Sequence, residues 1–168
     1  PTLDLTGCTG LKKLEANSCM KLTSVTLTGC TALEEIQLQN GEIKSLDLSG
    51  LTNVKSLQLE RNPLTKLQMT GLTKLTTLNV EGTNLTALEL SDCTALEMLT
   101  ASRCSELATV QLPKTDKLEY LYLSDCTPLK AVDISDLSGL KEAYLEHNKS
   151  LAKVTVSNCP KLKLLSLH

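Results

Sequence analysis

Apolar residues fall along this chain in triplets, the second member three residues after the first and the third two residues after that, and the triplets return about every eleven residues. Leu33/Ile36/Leu38, Ile43/Leu46/Leu48, Val54/Leu57/Leu59, Leu64/Leu67/Met69, Leu75/Leu78/Val80 and Leu85/Leu88/Leu90 form one unbroken run. The same spacing extends back to Leu11/Leu14/Ala16 and on to Leu162/Leu165/Leu167. Three-then-two does not continue around one helical face, while the last two members alternate as in a strand. Segments such as TTLNV and KAVDI favour extended backbone. TALEML would read as helix alone, but every other repeat puts those positions in a strand register. Pro63, Pro128 and Pro160, with Gly7, Gly29, Gly50 and Gly71, fall between triplets, where turns are needed. A unit this short cannot bury its own apolar face, so the repeat predicts a solenoid of stacked coils forming one domain over residues 1–168.

The full repeat is two triplets long, 21 or 22 residues. Alternate triplets are followed by a distinctive position holding Cys19, Gly41, Asn62, Thr83, Cys104, Cys126 and Asn148. Val54, Leu57, Leu59, Asn62 and Leu64 fit L-x-x-L-x-L-x-x-N/C-x-L, the leucine-rich repeat signature. An inward asparagine there satisfies backbone groups exposed by the turn after the strand, and cysteine fits the same narrow slot. Gly41 and Thr83 are expected to interrupt this ladder. Stretches such as LTSVTLTGCTALEEIQL and LTALELSDCTALEML resemble bacterial cell-surface leucine-rich repeats, the internalin-like and Bacteroidetes-type repeats with cysteine in the asparagine ladder. The resemblance runs over essentially the whole chain. It implies a β-rich leucine-rich repeat solenoid of right-handed parallel coils, two strand-like segments per coil, little or no α-helix, and an extracellular or cell-surface location.

Seven cysteines, with no C-x-x-C among them, match neither a paired disulfide framework nor a zinc site. Cys19, Cys104 and Cys126 take the asparagine slot, and Cys8, Cys30, Cys93 and Cys159 share the equivalent slot of the other half-repeat with Leu51, Leu72 and Leu137. All seven are therefore expected to be inward, reduced and slow to react, the alternative being bridges such as Cys8 to Cys30 or Cys104 to Cys126. A net charge of −2 lacks the basic excess that nucleic acid requires, and no apolar stretch is long enough for membrane insertion.

Chemistry is sparse. Two histidines, His147 and His168, and no nucleophile-elbow, zinc-protease or phosphate-loop motif leave no case for an enzyme, a cofactor or a metal. Glu60 and Glu81 stack in one column but read as surface charge. The outward positions of the main strands are more informative. They form columns, Lys13, Glu35, Ser56, Thr77, Met98, Tyr120, Glu142, Leu164 in one and Glu15, Gln37, Gln58, Asn79, Thr100, Tyr122, Tyr144, Ser166 in the next. A third column holds Glu60, Glu81, Ser124 and Glu146. All three tyrosines of a chain without Trp or Phe gather at one end of this surface. The other strands present small polar residues, Ser45, Asp47, Thr109, Gln111 and Ser135, suited to solvent.

Tyrosine offers a rigid apolar body with a polar tip, so Tyr120, Tyr122 and Tyr144, with Met98, Leu164 and His147, form the candidate partner-binding surface. Arg103, Asp125 and His147 form a neighbouring column that reads as a solvated ion pair, the alternative being a charged rim to this surface. The expected role is a non-enzymatic binding or adhesion module whose concave strand face engages a protein or carbohydrate. The alternative is a structural spacer whose faces bind nothing. Neither end carries a polar cap over its last coil, and the expectation is a fragment of a longer surface protein.

Overall fold

The computed structural model describes all residues, Pro1–His168, as sixteen three-residue strands joined by turns, with no helix. The even strands are β2 (Lys13–Glu15), β4 (Glu35–Gln37), β6 (Ser56–Gln58), β8 (Thr77–Asn79), β10 (Met98–Thr100), β12 (Tyr120–Tyr122), β14 (Glu142–Tyr144) and β16 (Leu164–Ser166). They form one continuous parallel sheet of eight strands in that order, the main face. The odd strands are β1 (Thr2–Asp4), β3 (Ser24–Thr26), β5 (Ser45–Asp47), β7 (Lys66–Gln68), β9 (Ala87–Glu89), β11 (Thr109–Gln111), β13 (Ala131–Asp133) and β15 (Lys153–Thr155). They lie on a second face and pair only two by two, β1 with β3, β5 with β7, β9 with β11 and β13 with β15.

The apolar triplets account for the stack. Each main strand turns its middle residue inward, so Ile36, Leu57, Leu78, Leu99, Leu121 and Ala143 form a buried column in direct register. The first and third triplet members flank it, and 42 buried apolar residues make one core running the length of the solenoid. Each main strand but the last leaves through a left-handed residue, at Ser18, Asn40, Arg61, Gly82, Arg103, Asp125 and His147. A non-glycine residue is uncommon in that region, and its recurrence at one position per coil is what bends the chain sharply enough to return. Gly139 is required for another reason, since a Cβ there would overlap the Asp116 carbonyl of the preceding coil.

The ladder runs from coil to coil except at Gly41 and Thr83, the two positions where the sequence predicts a break. Elsewhere after the first coil the asparagine-slot residue bonds to the carbonyl of the third triplet residue one coil earlier. Cys104 Sγ donates to Val80 O at 3.2 Å, Cys126 Sγ to Ala101 O at 3.2 Å and Asn148 Nδ2 to Leu123 O at 2.8 Å. Thr83, expected to break the pattern, is buried and donates Oγ1 to Val80 O at 2.8 Å, with Cys104 Sγ 3.4 Å away. Gly41 leaves room for its neighbour, because a Cβ there would lie 2.8 Å from Asn62 Oδ1.

The cysteines divide in a way the repeat register alone does not show. None is in a disulfide; Cys30, Cys93, Cys104 and Cys126 are buried, whereas Cys8 and Cys19 are exposed and Cys159 is half-buried. The expectation of seven buried thiols is thus corrected at the ends. Cys8 and Cys19 belong to the first coil, which has a neighbour on one side only. Burial pushes the Cys93 thiol up to about 11, and Cys126 is driven above its ordinary range by its hydrogen bond with Cys104 and by burial. That same bond from Cys126 draws Cys104 down to about 7 against the burial penalty, but full burial denies it to a reagent. A thiol reagent should therefore label Cys8 and Cys19 rapidly in the native chain, and Cys30, Cys93, Cys104 and Cys126 only on unfolding. Fast native labelling of Cys104 or Cys126, read by peptide mass spectrometry, would contradict this packing.

Candidate functional site

The main sheet places the three tyrosines on adjacent strands by strict register. Tyr120 stands between Met98 and Glu142 in one column, and Tyr122 between Thr100 and Tyr144 in the next. In a parallel sheet strand neighbours lie about 4.8 Å apart, so equivalent side chains meet face to face. The rings of Tyr122 and Tyr144 accordingly stack with centroids 5.0 Å apart and planes 10° from parallel. Tyr120 carries Lys141 Nζ 5.7 Å from its ring centroid, within cation–π range. All three rings are half-buried.

Polar groups fix the cluster. Tyr144 donates its hydroxyl to Glu142 Oε2 at 2.8 Å, and that carboxylate raises the phenol above its ordinary value, keeping the donor protonated. Lys141 pairs with Glu119 at 2.6 Å, a bond that raises the lysine. Ser124 donates to Glu146; against a burial penalty that acts upward, this bond and one from Ser166 hold the Glu146 carboxyl below the usual carboxylate range.

Leu164 follows Glu142 in the Tyr120 column and is 38% exposed. The register therefore brings Met98, Tyr120, Tyr122, Tyr144 and Leu164 onto one surface. His147 stands apart. It occupies the turn after β14, 3.7 Å from Asp125 Oδ1, and lines a cavity of about 550 Å³ with Lys149, Leu151, Leu167 and His168, which no tyrosine enters. In the neighbouring column Asp125 thus stands beside His147, while Arg103 Nη1 pairs with Glu81 at 3.1 Å. On the second face Ser135 is buried, not solvent-facing, and its carbonyl accepts Lys114 Nζ at 2.8 Å.

Charge on the main face differs from that of the whole chain. Its three outward columns hold Glu15, Glu35, Glu60, Glu81, Glu142 and Glu146 against one lysine, Lys13, although the net charge of the protein is only −2. Lys13 is itself held by Glu15 at 2.8 Å and Glu35 at 3.2 Å. No group of three or more His, Cys, Asp or Glu side chains converges as metal ligands, and no helix is long and apolar enough to cross a membrane.

Sequence reasoning located the tyrosine columns because register follows directly from the repeat. It missed the seams of the second face, which depend on whether neighbouring odd strands close up and leave no mark in the triplet spacing.

Comparison with known proteins agrees with the architecture. The functional domain of InlJ from Listeria monocytogenes, whose structure includes a cysteine ladder, superposes with a TM-score of 0.53 at 22% identity, over 97% of this chain and 53% of that one. This chain thus spans about half the length of that structure. An internalin, InlF, from the same organism superposes with a TM-score of 0.47 at 16% identity, over 95% of this chain and 67% of that one. No curated protein sequence matches the chain. A family model, the At1g61320/AtMIF1 LRR domain, matches residues 53–168, more than half of the chain. With its repeat, its parallel solenoid and this match, the chain belongs to the leucine-rich repeat domain family of At1g61320/AtMIF1 type.

Proposed function

We propose that this domain is a non-enzymatic binding module whose main strand face, the concave face in leucine-rich repeats, engages a partner protein through Tyr120, Tyr122 and Tyr144. The observation carrying this reading is the stacked Tyr122–Tyr144 pair beside Tyr120, flanked by Met98 and Leu164 on a face otherwise lined by amides and carboxylates. Leucine-rich repeats generally mediate protein binding, and rigid aromatic groups held by neighbours lose little freedom when they are covered. The six glutamates assign the partner a basic surface, because cationic side chains can both pair with carboxylates and lie over tyrosine rings. That sign also disfavours nucleic acid. His147 belongs at the edge of this footprint rather than its centre.

Adhesion at a bacterial cell surface or in the extracellular space is the setting we infer, on the resemblance of the repeats and the column of cysteines in the asparagine slot. A carbohydrate partner is the weaker form of the same reading. The spacer reading gains nothing from the tyrosine cluster.

The test is a screen of purified proteins and glycans by surface plasmon resonance, followed by single substitutions. The tightest ligand should be a basic protein, and Tyr120→Ala, Tyr122→Ala or Tyr144→Ala should each weaken it by about 1 to 3 kcal/mol without altering the unfolding midpoint greatly. Gln37→Ala, Gln58→Ala and Asn79→Ala should change affinity by less than about 0.5 kcal/mol. A ligand lost with the amide column but not with the tyrosines would overturn the assignment.

A further inference from the structure

The second face is where the solenoid departs from its own regularity. Its paired strands leave three seams, between β3 and β5, between β7 and β9, and between β11 and β13. At the first and third seams the strands still approach within 8 Å, and Lys114 bridges the third through Ser135 O and Asp133. At the middle seam no Cα of β7 comes within 8 Å of any Cα of β9. The turns also differ across this seam. Gly7, Gly29, Gly50 and Gly71 follow their strands in the left-handed region, as do Asp136 and Asn158, but the equivalent Asp92 and Lys114 do not. β9 and β11 stack on each other and stand off from β7.

Both walls of the opening carry unpaired backbone. Leu48 N–H donates to Gln68 O at 3.0 Å and Leu90 N–H to Gln111 O at 2.9 Å, whereas the equivalent bond from Met69 N–H to Glu89 O is not made. Successive residues of a parallel strand address opposite neighbours, so Leu67 and Met69 on one wall face Ala87 and Glu89 on the other. Cys93 records the same separation, for it makes no Sγ bond to the preceding coil, while Cys30 and Cys159 in equivalent slots bond Leu5 O and Ile134 O. The opening is held in shape as well. Asp92 Oδ2 accepts Gly71 N–H at 3.2 Å, tying the two turns together beyond the strands.

The cavity so formed measures about 300 Å³, with Leu67, Met69 and Leu88 as apolar lining and Gln68, Glu89 and Asp92 as polar lining. No lysine or arginine lines it. Two strand spacings amount to about 9.5 Å, the gap that one inserted strand fills. Unpaired edges are templates for an incoming strand.

We propose that the seam between β7 and β9 is a second binding site, which takes one extended segment of a partner polypeptide as an inserted strand, with Lys or Arg beside it to meet Glu89 and Asp92. The site is independent of the tyrosine face. Main-chain hydrogen bonds to both walls supply the affinity, and the two carboxylates set the sign of the flanking residues.

The test is amide hydrogen exchange on the full chain with a defined probe, the acetylated and amidated hexapeptide Lys-Thr-Val-Thr-Val-Lys. In the free chain the amides of Leu67, Met69, Ala87 and Glu89 should exchange at least about tenfold faster than those of Leu48 and Leu90. Millimolar peptide should slow these four by about tenfold or more. The same peptide N-methylated at alternate residues should not, nor should its glutamate-flanked version. Three results would overturn the proposal: walls already as protected as Leu48 and Leu90 in the free chain, no slowing with the peptide, or equal slowing with the N-methylated peptide. Equal slowing by the glutamate-flanked peptide would overturn the assignment of a basic partner segment.

Discussion

Asn62→Ala is expected to lower the stability of the domain by about 3 to 5 kcal/mol, more than any surface substitution. Asn62 is 1% exposed and makes three hydrogen bonds, all to backbone. Nδ2 donates to Leu38 O at 2.8 Å and to Leu59 O at 3.0 Å, and Oδ1 accepts Ile43 N–H at 3.0 Å. Removing the side chain strands three backbone groups, each costing about 1 to 3 kcal/mol when buried without a partner. Gly41, in the preceding coil, has no side chain that could substitute. Asn148 makes the same set of bonds, to Leu123 O, Leu145 O and Cys126 N, but is only half-buried. Water can take over part of its role, so Asn148→Ala should cost roughly half as much. Urea unfolding of both variants checks this, and a loss below about 1 kcal/mol for Asn62→Ala would contradict it.

Leu121→Ala should cost about 2 to 5 kcal/mol. Leu121 is fully buried in the middle of β12, between Leu99 and Ala143 in the same column. The lost methyl groups leave a cavity that coils hydrogen-bonded on both sides cannot collapse to fill. Leu165 occupies the equivalent position in the last coil, where it is half-buried with a neighbouring coil on one side only. Leu165→Ala should consequently be about half as damaging. Equal losses at the two positions would argue against a layered core whose stability is built coil by coil.

The main sheet was legible because one rule repeats. Once Leu57, Leu78 and Leu99 are recognised as the same position, the register of Gln58, Asn79 and Thr100 follows, and with it the meeting of Tyr122 and Tyr144. The ladder was legible together with its two interruptions. Thr83 turns its hydroxyl to Val80 O of its own coil and Gly41 has no side chain to donate, so neither bonds the coil before it, while Gly41 leaves the space that Asn62 occupies. Exposure at Cys8 and Cys19 and burial at Ser135 depend on what lies beside a coil rather than on its own pattern. Which odd strands pair is not encoded in the triplet spacing, since β5 and β7 pair and β7 and β9 do not although all three carry the same apolar pattern. His147 was expected only as a flank, and it sits in the left-handed turn after β14 beside Asp125, not among the rings.

The central claim is that the tyrosine-bearing face, and not the second face, meets the principal partner. The most direct measurement is the affinity of the protein ligand found in the screen for two variants of matched stability, Tyr120→Ala/Tyr122→Ala/Tyr144→Ala and Ser45→Ala/Asp47→Ala. The account predicts that the triple variant loses at least about a hundredfold in affinity while the second-face variant stays within about threefold of the parent. An unchanged affinity in the triple variant, or a loss confined to the Ser45 and Asp47 variant, would contradict it.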